Sequence, residues 1–329
     1  MKYIKKNIQI KDINAHKLRG NNFYKSVQSL NKFQLQKNKH RLKNNSEFSC
    51  LLCGGNQGEF ILKWKDCYYL NQCKECSAIS TNIDTFNSSE HVGSIYEQDY
   101  FKNTLETVQN TVDYRKTLFG EERYQFCIKR LNLSEKEISV LDVGCGLGYF
   151  LETLKDKGIK ARGLEVDPYQ RDVCLKKGLD VVTSDLSQEY DESYDLITLF
   201  DVLEHLTEPV EFFKLAYSKL KPGGHIIAFT PNINSFGFEL MGNTQNLLYP
   251  FQHVCFYNPS SIKYLSEKAK LNISSVEYFG LDIMDYLLKK EYEDDYPYTD
   301  KLHEMMTLMQ GCLDHLEISN HMRITFQKK

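Results

Sequence analysis

Val140-Leu141-Asp142-Val143-Gly144-Cys145-Gly146-Leu147-Gly148-Tyr149-Phe150 is the stretch whose reading decides the fold. An apolar run from Ile138 to Val143 has the length and character of a buried strand. Glycines then stand at every second position, where they let the backbone turn tightly and approach a ligand. A helix follows to about Lys157. The same alternation continues outward. Strands are predicted at Lys160–Glu165, Leu179–Thr183, Tyr194–Phe200, His225–Thr230, Ile273–Phe279 and Met322–Gln327. Pro168 opens a second helix at a position that tolerates proline. Further helices fall at Glu208–Leu220, stopped by Pro222-Gly223-Gly224, and at Asn258–Lys270. Strands alternating with helices predict an α/β fold, a doubly wound and mostly parallel sheet covered on both faces.

The glycine spacing also separates two kinds of ligand. A dinucleotide turn, G-x-G-x-x-G, requires glycine at position 149, where this chain has Tyr149; its third glycine is Gly148. Asp142, just before the turn, repels a phosphate and suits a cationic ligand. Three more features lie at intervals down the chain. They are Gly163-Leu164-Glu165, then Thr183-Ser184-Asp185-Leu186, then Phe200-Asp201-Val202-Leu203-Glu204-His205-Leu206 followed by Leu220-Lys221-Pro222-Gly223-Gly224 and Thr230-Pro231-Asn232. Taken singly, Glu165 reads equally as a surface acid and Asp185 as a helix N-cap.

Taken together, in this order and spacing, residues 110–280 resemble a class I S-adenosylmethionine-dependent methyltransferase of the small-molecule, sugar-modifying type. The resemblance implies a seven-stranded Rossmann-like sheet. It also implies that Asp142, Gly144, Cys145, Gly146, Gly148, Glu165, Asp185, Leu186 and Phe200 surround the S-adenosylmethionine. Glu165 would take the ribose hydroxyls and Asp185 the adenine amino group.

Ahead of this domain, Cys50-x-x-Cys53 and Cys73-x-x-Cys76 are separated by nineteen residues. That spacing fits one Zn²⁺ held by four thiolates, with no position left for a catalytic water, so the ion is structural. Gly54-Gly55 allows the tight turn that aims backbone N–H groups at sulfur. Cys67 and Cys127 stand outside this spacing and read as core or surface residues. A zinc ribbon ahead of such a domain recurs among sugar-modifying methyltransferases and in some RNA methyltransferases. The expected organisation is therefore a basic extension (1–46), a zinc ribbon (47–82), a linker with an aromatic lid segment (83–109) and the methyltransferase domain (110–329).

Methyl transfer to an oxygen or carbon acceptor calls for a general base. His205, just past the fourth strand, and His253, in Phe251-Gln252-His253-Val254-Cys255-Phe256, are the candidates. In relatives an aromatic segment lies over the cofactor, and Tyr96, Tyr100 and Phe101 match it. The acceptor expected from the resemblance is a small molecule, such as a nucleotide-linked sugar or a polysaccharide or natural-product precursor. The alternatives are an RNA or protein methyltransferase gripping a polymer with its ribbon and basic tail, and a non-catalytic binder.

A net charge of −3 and a ribbon without strong basic character argue against nucleic acid. No apolar run reaches the ~20 residues of a membrane span, and the chain reads as cytoplasmic. Residues 1–46 hold twelve Lys/Arg against one acid, Asp12. Phe23, Val27, Leu30 and Phe33 recur there at helical spacing, and the extension reads as a solvated tail docked loosely on the body. The segment from Asp282 to Asn320 reads as a covering helix, a dimer contact or part of a lid. The oligomeric state is not encoded in any pattern found.

Overall fold

The computed structural model describes residues 11–20, 22–43, 48–65, 67–84, 111–131, 133, 137–249 and 251–329. Tyr96, Tyr100 and Phe101 lie outside the described residues. Two sheets organise the chain. The smaller joins β1 (Gly58–Trp64), β2 (Tyr68–Cys73) and β3 (Ile79–Thr81) as an antiparallel meander. The larger contains β4 (Ser139–Val143), β5 (Lys160–Leu164), β6 (Val181–Val182), β7 (Tyr194–Phe200), β8 (Leu220–Pro231), β10 (Asn272–Tyr278) and β11 (His321–Gln327). Its order is β10-β11-β8-β7-β4-β5-β6. All neighbours are parallel except β11, which runs antiparallel to both β8 and β10. This is the seven-stranded, mostly parallel sheet expected. The short β9 (Cys255–Phe256) pairs with β3, so the larger unit supplies the last strand of the ribbon sheet.

Strand periodicity explains the two-sided core. Val140, Leu196 and Ile227 face one side, with Ile128, Phe150 and Leu154. Their neighbours Leu141, Ile197, Ile226 and Ala228 face the other, with Phe213, Ile262 and Leu265. Successive residues alternate between layers because side chains in a strand point to opposite faces. Helices begin where the sequence offers a cap. The Asp167 carboxylate accepts the Gln170 N–H at 2.7 Å, with Pro168 opening the helix Pro168–Lys176. Asn258 and Ser261 form a reciprocal capping box at Pro259–Lys268.

The chain leaves β4 towards β5 and β6, then returns to place β7 on the other flank of β4. This reversal opens a crevice at the carboxyl ends of β4 and β7, the place where open α/β sheets bind ligands.

The N-terminal region differs from expectation. Its described residues pack into the body rather than docking loosely. Helix α1 (Ala15–Arg19) and the residues before it bury Ile13, Ala15 and Leu18 against Ile283, Met284, Leu287, Met306 and Leu313. Those partners come from the Asp282–Asn320 segment, which forms two helices, Asp282–Asp294 and His303–His315. Helix α2 (Phe23–Asn38) forms as predicted, with a rotated face. Tyr24, Val27, Asn31, Gln34 and Asn38 are buried, whereas Phe33 is 51% exposed. Asn31 Nδ2 donates to the Leu248 carbonyl at 2.9 Å, so a polar residue is buried on this face beside the apolar contacts of Val27 and Leu35.

Candidate active site

The turn after β4 shows why three glycines are needed. Gly144, Gly146 and Gly148 have φ of +64°, +56° and +75°, a region that L side chains rarely adopt. A Cβ at Gly144 would lie 2.6 Å from Val202 Cγ2, and one at Gly148 would lie 2.6 Å from Leu179 Cδ1. At Gly146 the nearest atom is Gln170 Oε1 at 3.4 Å, so this glycine borders open space.

That space is a cavity of about 370 Å³ at the carboxyl ends of β4 and β7. Gly144, Cys145, Gly146 and Phe200 line it. Asp142 does not; it is buried beneath the turn, where its Oδ1 accepts the Thr198 hydroxyl at 2.6 Å. Burial pushes its carboxyl up to about 6. Glu165 flanks the turn from β5. Its Oε2 accepts the Gly146 N–H at 2.7 Å and its Oε1 the Asp167 N–H at 2.8 Å. Glu165 is buried beside the turn and does not itself line the cavity, and burial lifts this carboxyl to about 7. Asp185 is exposed and caps a short turn by accepting the Ser187 N–H at 2.8 Å. Leu186 behind it is part of the core, and Gly148 is the left-handed entry to the helix Tyr149–Asp156.

The two histidines separate. His253 lines the cavity and His205 does not, although their rings meet edge to face at 4.8 Å. His253 Nδ1 lies 2.9 Å from the Leu247 carbonyl, which only accepts, so Nδ1 carries the proton. Burial drives the ring well below ordinary imidazole basicity, leaving it neutral with its lone pair on Nε2. Nε2 faces Glu204 Oε1 at 3.8 Å. Glu204 Oε2 accepts the Thr230 hydroxyl at 2.9 Å, while Oε1 is buried with no partner among the described residues. Burial, reinforced by Asp201, holds the Glu204 carboxyl well above its usual range. Burial lowers His205 to about 4, and its Nδ1 has no partner among the described residues.

Several cavity residues escaped the sequence reading. Asp201 sits at the end of β7 with φ +58°, an uncommon conformation for a non-glycine residue that holds it at the cavity. His321 stacks on Phe229 at 4.8 Å and points Nε2 at Asp201 Oδ1, 3.9 Å away. Arg19, Arg115, Arg123 and Arg323 also line the space. Asp201 and Glu204 were legible as polar groups just past a strand end. Arg323 was legible as a charge between the apolar Met322 and Ile324 of β11.

In the ribbon, the four thiols converge. Cys50 Sγ lies 3.4 Å from Cys76 Sγ, Cys53 Sγ lies 3.4 Å from Cys73 Sγ, and all four sulfurs fall within 4.8 Å of one another. A tetrahedron with bonds of about 2.3 Å has edges of about 3.8 Å. The Gly55 N–H donates to Cys53 Sγ at 3.3 Å, and Gly54 turns at φ +76°. The arrangement is consistent with a zinc ribbon.

Comparison with known proteins places this geometry among relatives. A family model described as "Methyltransferase domain" matches residues 114–276. The ubiquinone biosynthesis O-methyltransferase of Pseudomonas savastanoi pv. phaseolicola is 30% identical over 169 residues, 47% of this chain and 72% of that protein. The protein of the same name from Aliivibrio fischeri (strain MJ11) is 33% identical over 147 residues, 40% of this chain and 63% of its own. Among solved structures, the plantazolicin methyltransferase BamL has a TM-score of 0.50 at 14% identity. That alignment covers 73% of this chain and 94% of BamL, a likeness of fold alone. No helix among the described residues is long and apolar enough to cross a membrane.

Proposed function

We propose, for a chain that belongs to the class I S-adenosylmethionine-dependent methyltransferases, that the acceptor is a small molecule and that His253 takes its proton. The names of the relatives and the folding of the basic N-terminal segment into the body support a small acceptor over a polymer. A nucleotide-linked sugar or a natural-product precursor is the class to screen first.

The side chains present suit the cofactor. The Gly144–Gly148 turn offers bare backbone, Glu165 stands against the Gly146 N–H as an acceptor type suited to hydroxyls, and exposed Asp185 suits an amino group. Asp142 adds negative charge under the turn. S-adenosylmethionine supplies, when bound, a methyl group on a sulfonium that needs no further activation. The protein's task is then alignment of the acceptor and removal of its proton. Cys50, Cys53, Cys73 and Cys76 would hold a zinc ion that fixes the ribbon and takes no part in chemistry.

One observation carries the assignment of the base: the His253 lone pair is fixed on Nε2 by the Nδ1–H bond to Leu247 O. As Nε2 takes a proton, the Leu247 carbonyl stabilises the imidazolium that forms. Glu204 Oε1 lies 3.8 Å from Nε2, beyond a direct hydrogen bond. His205 buttresses the His253 ring and acts through its position.

His253→Asn keeps a donor for the Leu247 carbonyl and removes Nε2. Its kcat is expected to fall by about 10²–10⁴, with S-adenosylhomocysteine affinity retained in a calorimetric titration. His205→Ala is expected to cost much less. Full turnover by His253→Asn would remove the base assignment while leaving the methyltransferase family unaffected.

A further inference from the structure

Charge inside the cavity is unbalanced. Four guanidiniums converge on it from distant parts of the chain: Arg19 from α1, Arg115 and Arg123 from the helical segment 112–130, and Arg323 from β11. Arg19, Arg115 and Arg123 all act electrostatically on Asp201, which places the three around one point. Two of the four have carboxylate partners. Arg19 Nη2 lies 3.4 Å from Asp285 Oδ1, and Arg323 Nη2 donates to Glu122 Oε1 at 2.7 Å.

The other two have no carboxylate within ion-pair distance among the described residues. Arg115 donates to the Thr111 hydroxyl at 2.9 Å and the Leu18 carbonyl at 2.8 Å. Arg123 rests on the Phe200 ring at 3.9 Å. In addition, Nε of Arg19 and Nε of Arg323 are buried with no hydrogen-bond partner among the described residues, and Arg323 is only 5% exposed. A buried, unpaired donor on a charged group is costly to fold.

The acids that face this cluster do not cancel it. Glu122 is shared between Arg323 and Lys11. Burial holds the Glu204 carboxyl well above its usual range, and Asp201, with its side chain half exposed, is a single acid facing Arg19, Arg115 and Arg123. Nor does the cofactor cancel it, because a sulfonium and an ammonium outweigh a single carboxylate. A second anion is needed.

We infer that the acceptor carries an anionic oxygen group, a phosphate or a carboxylate, held by Arg19, Arg123 and Arg323, and that the N-terminal segment is one wall of the acceptor pocket. Guanidinium groups bind these oxyanions through paired N–H donors. Specific contacts hold that wall in place: Asn14 N–H donates to the Tyr114 hydroxyl at 2.9 Å, and Lys11 Nζ lies 3.3 Å over the Phe279 ring. The inference rests on the methyl-transfer reading for the word acceptor, and on the arginines alone for the anion.

The test is calorimetry on the full chain, with and without saturating S-adenosylhomocysteine, titrated with inorganic pyrophosphate, with citrate and with glucose. The expected result is binding of one oxyanion to the loaded protein and none of glucose. Arg19→Gln and Arg123→Gln should weaken that oxyanion on the order of tenfold, with S-adenosylhomocysteine affinity changed less than twofold. Preference for pyrophosphate identifies a phosphate, and preference for citrate identifies a carboxylate. Adenosyl ligand bound without millimolar affinity for either oxyanion would overturn the inference. So would variants that lose the adenosyl ligand and leave the oxyanion unaffected. Failure of the adenosyl ligand to bind would strike the methyl-transfer reading, and the titrations of the unloaded protein would still decide the anion site.

Discussion

At the scale of single residues, the site is built from groups whose burial works against their ordinary ionisation. Asp142 illustrates this with a sign that can be checked. Its folded-state carboxyl is raised to about 6 by burial, above the roughly 3.9 of an unfolded chain. The ionised form is therefore penalised in the fold. That penalty is absent below about pH 4, grows between pH 4 and 6, and is complete above pH 6. Asp142→Asn keeps an acceptor for the Thr198 hydroxyl and removes the charge. In the ligand-free protein it is expected to raise stability at pH 8 by about 1–3 kcal/mol, with little change at pH 4. Urea denaturation at the two pH values checks this. A loss of stability at pH 8 would mean that Asp142 is held ionised by favourable contacts.

At the scale of elements, the ribbon and the sheet share material. Strand β9 comes from the larger unit yet pairs with β3, and the Asn258 amide donates to the Ser77 carbonyl at 2.8 Å. Cys50, Cys73 and Cys76 belong to the same apolar layer as Leu141, Phe213 and Ile262. A ribbon joined in this way does not melt by itself. The purified protein is expected to carry one zinc per chain. Chelation, or Cys53→Ser, is expected to lower the main thermal transition rather than to create a separate early one. Scanning calorimetry with a metal assay on the same sample reads both. An early transition with the main one unmoved would show an independent ribbon.

At the scale of the whole molecule, the N-terminal segment ties the cavity to the Asp282–Asn320 helices. Ile13 and Leu18 are buried there, and each such side chain contributes roughly 1.5–3 kcal/mol. Deleting residues 1–20 is therefore expected to cost about 3 kcal/mol or more, read as a lower urea midpoint with a similar slope. An unchanged midpoint would restore the picture of a loosely docked tail.

Much of this molecule is legible in its amino-acid order. The apolar runs and the intervening helices determine the sheet, because burial on both faces leaves no other pattern for its strands. The Gly144–Gly148 spacing marks the ligand turn, since only glycine accepts those positive φ values without strain. The cysteine spacing marks the ribbon, since four sulfurs around one small ion demand two tight turns. Tertiary structure alone decides the rest. Which of the two motif histidines meets the cavity depends on the loop that brings Leu247 beside His253. On α2 the Leu248 carbonyl takes a hydrogen bond from Asn31, which is buried, whereas Phe33 is exposed. The arginines lie far apart in sequence, and apart from Arg323, set between apolar residues of β11, each alone reads as surface charge. Their meeting is a product of long-range packing, which local patterns do not encode.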